Sequence, residues 1–195
     1  MKLYTVKRYS FAELSPEAQA AAIETAVKEA WENVPDFLLE EDMNFKAAQL
    51  LSGELDMSLP NNTKLYYSLS YCQGDGARLD GRIYKQDSPT LPWPENAIYL
   101  DVDGDNRYYH NRSFSIDLYD EEGEYVDDQN NSMLEALRDI CVQLERYGYK
   151  WLENWSSEET VKEELAEREP YFTLEGGYKP ISGEVEEVEI GRAHV

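Results

Sequence analysis

Apolar positions along this chain repeat at two spacings, one helical and one alternating, and the switches between them divide it into elements. Residues 2–11, with Leu3, Tyr4, Val6, Tyr9 and Phe11 set among Lys and Arg, predict an opening strand. Ser15-Pro16-Glu17 reads as a helix start: a Ser N-cap, a Pro in the first turn where its missing N–H costs nothing, and an acid at the positive helix end. Ile23, Ala26, Val27, Ala30 and Trp31 continue at helical spacing until Pro35 ends the run. A second helix over about 37–52 rests on Leu39, Met43, Ala47, Leu50 and Leu51, with Gly53 where a C-cap glycine belongs and Pro60-Asn61-Asn62 as the turn beyond it.

The period then drops to two. Leu65, Tyr67, Leu69 and Tyr71 alternate with smaller residues up to Gly74-Asp75-Gly76, and Leu79 and Ile83 resume the alternation, so 66–83 predicts a hairpin around which the sheet is built. Pro89, Pro92 and Pro94 make 86–95 a rigid loop carrying Trp93. Ile98, Leu100 and Val102 lead into Asp101-Val102-Asp103-Gly104-Asp105-Asn106, and a further strand from Tyr108 to Leu118 puts Phe114, Ile116 and Leu118 on one face. Glu121-Glu122-Gly123 and the 127–131 segment read as solvated turns. From Ser132 the longest helix carries Leu134, Leu137, Cys141, Leu144, Trp151 and Trp155. Ser156-Ser157-Glu158-Glu159 restarts a shorter helix with Val161 and Leu165, ended by Pro170, and Tyr171, Phe172 and Leu174 predict a last short strand. The result is an α+β fold: a mostly antiparallel sheet around a central hairpin, packed by three to four helices, in a single domain over 1–182 with an acidic tail over 183–195.

Composition changes the picture mainly through charge. Asp+Glu 40 against Lys+Arg 18 gives −22, a field that repels nucleic acid and anionic membrane and favours a partner with a basic surface. An aromatic content of 12% in 195 residues supplies enough to bury, so the acid does not imply disorder. Cys72 and Cys141 are too few for a disulfide scaffold and suit a reducing cytoplasm. No charged leader with an apolar core opens the chain, and no run approaches the roughly 18 apolar residues of a membrane span.

Candidate chemistry is sparse. The glycines of Gly74-Asp75-Gly76 suit either an anion nest near Arg78 and Arg82 or the positive φ of a tight turn, and the turn is the better account, since no phosphate-loop spacing accompanies them. Tyr71, Gln73, Asp75, Arg78 and His110 are the candidate ligand-pocket residues, with stacking aromatics suited to a nucleobase. The Asp-x-Asp-x-Asp spacing at Asp101, Asp103 and Asp105 lacks the glycine and the bidentate Glu of a calcium loop, where Asn106 and Arg112 stand instead. Those three, with Glu121, Glu122, Asp127 and Asp128, form the candidate acidic interaction surface, set mainly in inferred loops; an acidic sheet edge would suit a phosphate mimic, because the rise of a strand approximates the 3.4 Å repeat of duplex phosphates. No catalytic residue, metal or cofactor is assigned, and the absence of a nucleophile-base pair leans against an enzyme.

Two segments resemble a family of small phage and prophage proteins sometimes labelled antitoxin-like. Residues 9–24, from Tyr9-Ser10-Phe11 through Glu13-Leu14-Ser15 to Glu17-Ala18, are similar to that family's opening, and 70–81 is similar to its aromatic-Ser-Gln-Gly-Asp-Gly-Ala hairpin. Weaker similarity continues through 107–116 and 144–172. Cys72 replaces the usual Ser, and Arg78-Leu79 replaces a small residue followed by an aromatic. The resemblance implies a phage setting, in the cytoplasm of an infected bacterium, and no defined activity. The leading expectation is therefore a non-enzymatic counter-defence protein that blocks a host nucleic-acid-handling defence factor through its acidic surface. The alternatives are a sponge for a small nucleotide immune signal and an antitoxin for a basic toxin. Glu189-Ile190-Gly191-Arg192-Ala193-His194-Val195 is also what a widely used sequencing-adapter oligonucleotide encodes in one frame, so these residues are expected to be non-native read-through.

Overall fold

The structure, a computed structural model, describes residues 6–56, 63–104, 108–127, 132–167, 172–177 and 188–190. Contacts divide the chain into two compact units, Pro35–Trp151 and the pair of segments Met1–Val34 and Leu152–Val195, where the hydrophobic pattern reads one domain. The second unit joins segments from the two ends of the sequence, and such non-local pairing has no local periodicity to announce it.

In the Pro35–Trp151 unit, α2 (Asp36–Leu55) leads to β2 (Thr63–Ser68), β3 (Gly76–Tyr84), β4 (Tyr99–Gly104), β5 (Phe114–Tyr119) and β6 (Tyr125–Val126), and then to α3 (Ser132–Trp155), whose last turn belongs to the other unit. The five strands form one antiparallel sheet in sequence order, so each hairpin is local. Alternation sets its two faces: Leu79, Ile83, Leu100, Val102, Phe114 and Leu118 are buried on one, as the pattern of apolar residues requires. That face meets the helices, where Met43, Ala47 and Leu51 of α2 and Met133, Leu137, Ile140 and Leu144 of α3 are fully buried. Trp151 Nε1 donates to Asp42 at 2.6 Å and Gln143 to Glu54 at 3.0 Å, fastening α3 to α2.

Three boundaries differ from expectation. The second helix runs through Gly53 to Leu55, and Asp56, at φ 46, takes the left-handed position; the short polar side chain of Asp tolerates it, and Thr90 Oγ1 bonds the Leu55 carbonyl. β2 stops at Ser68, so the hairpin connection is the longer segment Leu69–Asp75, and Tyr71 sits in it at φ 57 instead of extending the strand. The strand expected from Tyr108 begins at Phe114; Ser113 Oγ donates to the carbonyls of Tyr108 and His110, holding 108–113 as a turn. The turns at 60–62 and 105–107 and the strand residue Tyr171 lie outside the described residues.

In the other unit, α1 (Pro16–Glu32) begins at Ser15, whose Oγ accepts from Ala18 N–H at 3.2 Å, and packs against α4 (Glu158–Glu167). Phe11, Leu14, Ala18, Ala22 and Phe172 form its buried cluster, and Tyr9 and Phe172 exchange backbone hydrogen bonds at 3.1 and 2.8 Å. Phe172 makes this single bridge instead of a strand. β1 (Val6–Arg8) pairs in parallel with β7 (Val188–Ile190), so part of the acidic tail is strand. Among the described residues no helix is long and apolar enough to cross a membrane.

Candidate functional site

The hairpin loop and its surroundings hold the five candidate pocket residues, Tyr71, Gln73, Asp75, Arg78 and His110. Asp75 gathers four donors: Ser68 Oγ, Ser70 N–H and Cys72 N–H, each at 2.7 Å, and the Tyr149 hydroxyl of α3 at 3.1 Å. Burial pushes the Asp75 carboxyl up, but these bonds, led by Cys72 N–H, outweigh it and hold its pKa below the ordinary carboxylate value. The loop's own carboxylate takes the backbone N–H groups of Ser70 and Cys72, and the Asp75 N–H donates to the Cys72 carbonyl at 3.2 Å. Gly74 and Gly76 stand at φ 103 and 148, backbone conformations that glycine adopts without strain, at the end of this long connection.

The other pocket candidates point to different places. Tyr71 is 60% exposed, its ring 4.6 Å from that of Tyr149, and Gln73 is exposed. Arg78 is 1% exposed on the opposite face of β3 from Leu79, with its guanidinium 5.2 Å from the Tyr66 ring and 5.7 Å from the Tyr109 ring. A Cβ on Gly104 would fall 1.1 Å from Arg78 Nη1, so glycine is what lets the guanidinium cross the strand there. His110 accepts from Arg112 N–H through Nδ1 at 3.1 Å, and Gly76 packs on its backbone. A ligand does not meet buried Arg78 and exposed Tyr71 on one surface.

The acidic candidates behave differently. On the sheet face turned away from α2 and α3, β4 presents Tyr99, Asp101 and Asp103 and β5 presents Ser115, Asp117 and Tyr119, with Asp101 directly opposite Asp117. β3 adds Arg82, opposite Asp101, and Tyr84, opposite Tyr99. Tyr84, Tyr99 and Tyr119 form a row across three strands, with centroid separations of 5.8 and 5.1 Å. Arg82 grips Asp101 with a two-pronged pair, Nε to Oδ1 at 2.7 Å and Nη2 to Oδ2 at 2.8 Å, and lies 4.3 Å from the centre of the Tyr99 ring. Those bonds raise the Arg82 pKa, while partial burial and the Asp117 and Asp101 carboxylates raise that of the Tyr119 phenol. An open depression of about 500 Å³ is lined by Arg82, Tyr84, Asp101, Asp103, Asp117 and Tyr119.

Compared with protein-family models, curated proteins and solved structures, the chain matches none.

The face is therefore read on its own chemistry. Among the described residues, neither Asp103 nor Asp117 has an ion-pair partner, and no group of three or more His, Cys, Asp or Glu is arranged to hold a metal ion. Glu121 and Glu122 are exposed in the turn between β5 and β6, and Asp127 is exposed just past β6; Asp105 and Asp128 lie outside the described residues. Sequence reasoning missed Asp117, Tyr84, Tyr99, Tyr119 and the role of Tyr149. A signal for the first four was present, since each lies on the polar phase of an alternating strand, two residues from another polar or aromatic side chain.

Proposed function

We propose that this chain is a non-enzymatic binding protein that engages a basic protein partner through the acidic, tyrosine-lined face of its sheet, and that in a phage-type setting the partner is a host nucleic-acid-handling defence factor. The observation carrying the first part is the opposition of Asp101 and Asp117 on neighbouring strands. Like charges directly opposite each other destabilise a sheet, and among the described residues Asp101 has an ion-pair partner, Arg82, while Asp117 has none. A cost of this kind, paired with a half-buried aromatic row, is what an interaction surface looks like before its partner arrives. Carboxylates two apart on a strand are about 6.8 Å from each other and those on adjacent strands about 4.8 Å, dense enough to compete with phosphates for Lys and Arg. The phage setting rests on the resemblance of 9–24 and 70–81. An antitoxin for a basic toxin would use the same face. The nucleotide-sponge reading draws no support from the hairpin loop, where Arg78 is buried and Tyr71 exposed.

The test is competition. The protein is expected to displace duplex DNA from a susceptible member of a panel of purified restriction and defence nucleases, increasingly so at low salt. The triple variant Asp101→Asn, Asp103→Asn, Asp117→Asn should lose at least about tenfold in affinity, equivalent to about 1.4 kcal/mol. Displacement by the triple variant equal to that by the unmodified chain would remove the face from the reading.

A further inference from the structure

The chain already contains one ligand-like group on this face, and it is a guanidinium. Arg82 meets Asp101 edge-on with both prongs of its fork and lies over Tyr99, the residue two positions before Asp101 on β4. Planarity, a fixed fork and weak hydration suit Arg to this combination of carboxylate and ring, whereas an ammonium presents a point charge that neither matches two oxygens at once nor stacks. On β5 the same pair recurs: Asp117 and Tyr119 are two residues apart, on the same face, directly across from Asp101 and Tyr99. The residue filling the Arg82 position for that second pair would come from the next strand outward. That strand is β6, and its pairing with β5 is confined to Leu118 with Val126 and Tyr119 with Tyr125. No cation of the described chain reaches Asp117.

Resting on the reading above, we propose that this face selects arginine over lysine: a guanidinium of the partner docks against Asp117 and Tyr119 as Arg82 docks against Asp101 and Tyr99, with Asp103 adding charge beside it. The occupant is an arginine-bearing protein segment, favoured by charge complementarity with a chain of net charge −22. Nothing covalent is involved, and Asp117 is exposed, so its substitution leaves the core untouched.

The experiment uses the full chain with two fluorescent peptides of equal length and charge, hexaarginine and hexalysine, titrated by anisotropy at fixed low salt, with amide chemical-shift mapping of β5. Hexaarginine is expected to bind at least tenfold more tightly, with shifts centred on Asp117 and Tyr119. That preference should fall to about twofold or less in Asp117→Asn and in Tyr119→Leu, and should survive in Tyr119→Phe, which keeps the ring. If the two peptides bind equally and the triple Asn variant weakens both, the face still recognises basic partners and arginine selection is overturned. If neither peptide is weakened by the triple variant, both this inference and the reading it rests on fall.

Discussion

At the scale of single residues, the most heavily used side chain is Asp75, whose carboxylate closes the Leu69–Asp75 connection and ties it to Tyr149 of α3. Its folded pKa lies below the unfolded value near 3.9, so the stability it contributes is complete above about pH 4 and is lost as the pH falls through the folded pKa. Asp75→Asn is therefore expected to cost about 1–3 kcal/mol at pH 7, because donors aimed at a buried charged acceptor lose it. It should also flatten the acid limb of stability, with denaturant midpoints measured from pH 2 to pH 7 as the check. The Tyr149 phenol, pushed up to about 12 by burial and by its bond to Asp75, reports the same contact from the other side. The turn itself was legible from Gly74-Asp75-Gly76. What Asp75 binds was not, because one of its donors lies 74 residues away in sequence. Arg78 makes the same point: a basic residue beside glycines reads as an anion ligand, yet its buried guanidinium lies against Tyr66 and Tyr109 and pairs with Asp80 at 3.7 Å.

At the scale of elements, helix starts were the most readable feature, since Ser15 and Ser157 act through backbone groups three residues on. Helix ends were less so. Gly53 reads as a terminator, but it lies inside α2, exposed, with no atom within 4 Å of where a Cβ would stand. Gly53→Ala is accordingly expected to stabilise the protein by about 0.5–1 kcal/mol, by reducing the entropy lost when the helix forms. A lower midpoint in thermal or chemical denaturation would show that the glycine is needed there. The strands β4 and β5 were recognised by their apolar phase, Leu100 and Val102 against Phe114 and Leu118. The polar phase of the same strands was read as acid runs and turns, which left Asp117 out of the acidic surface.

At the scale of the whole molecule, a net charge of −22 sets a self-repulsion that folding must overcome. Salt screens such a field, so the melting temperature is expected to rise between about 20 mM and 500 mM sodium chloride. With each 1 kcal/mol worth about 2–4 °C in a chain of this size, a rise of several degrees is the scale to look for. A fall on adding salt would mean that favourable ion pairs, and not repulsion, dominate the folded state. Of the described pairs, the exposed Lys28–Glu32 and Arg138–Glu135 contacts are of the kind worth little, which leaves Arg82–Asp101 and Arg78–Asp80 to set against the repulsion.

By itself the sequence determined the α+β class, the antiparallel sheet, though its 66–83 hairpin stands at one edge and not at the centre, the starts of α1 and α4, and the sign of the field around the molecule. All of these depend on spacings of a few residues or on composition, and both survive reading in one dimension. Only the tertiary structure decided which acids stand together, that Asp101 faces Asp117 beside a tyrosine row, that Arg78 is buried, and that the chain's two ends share a unit. Those outcomes depend on strand register and on contacts between distant segments, where a shift of one residue would turn every side chain to the other face.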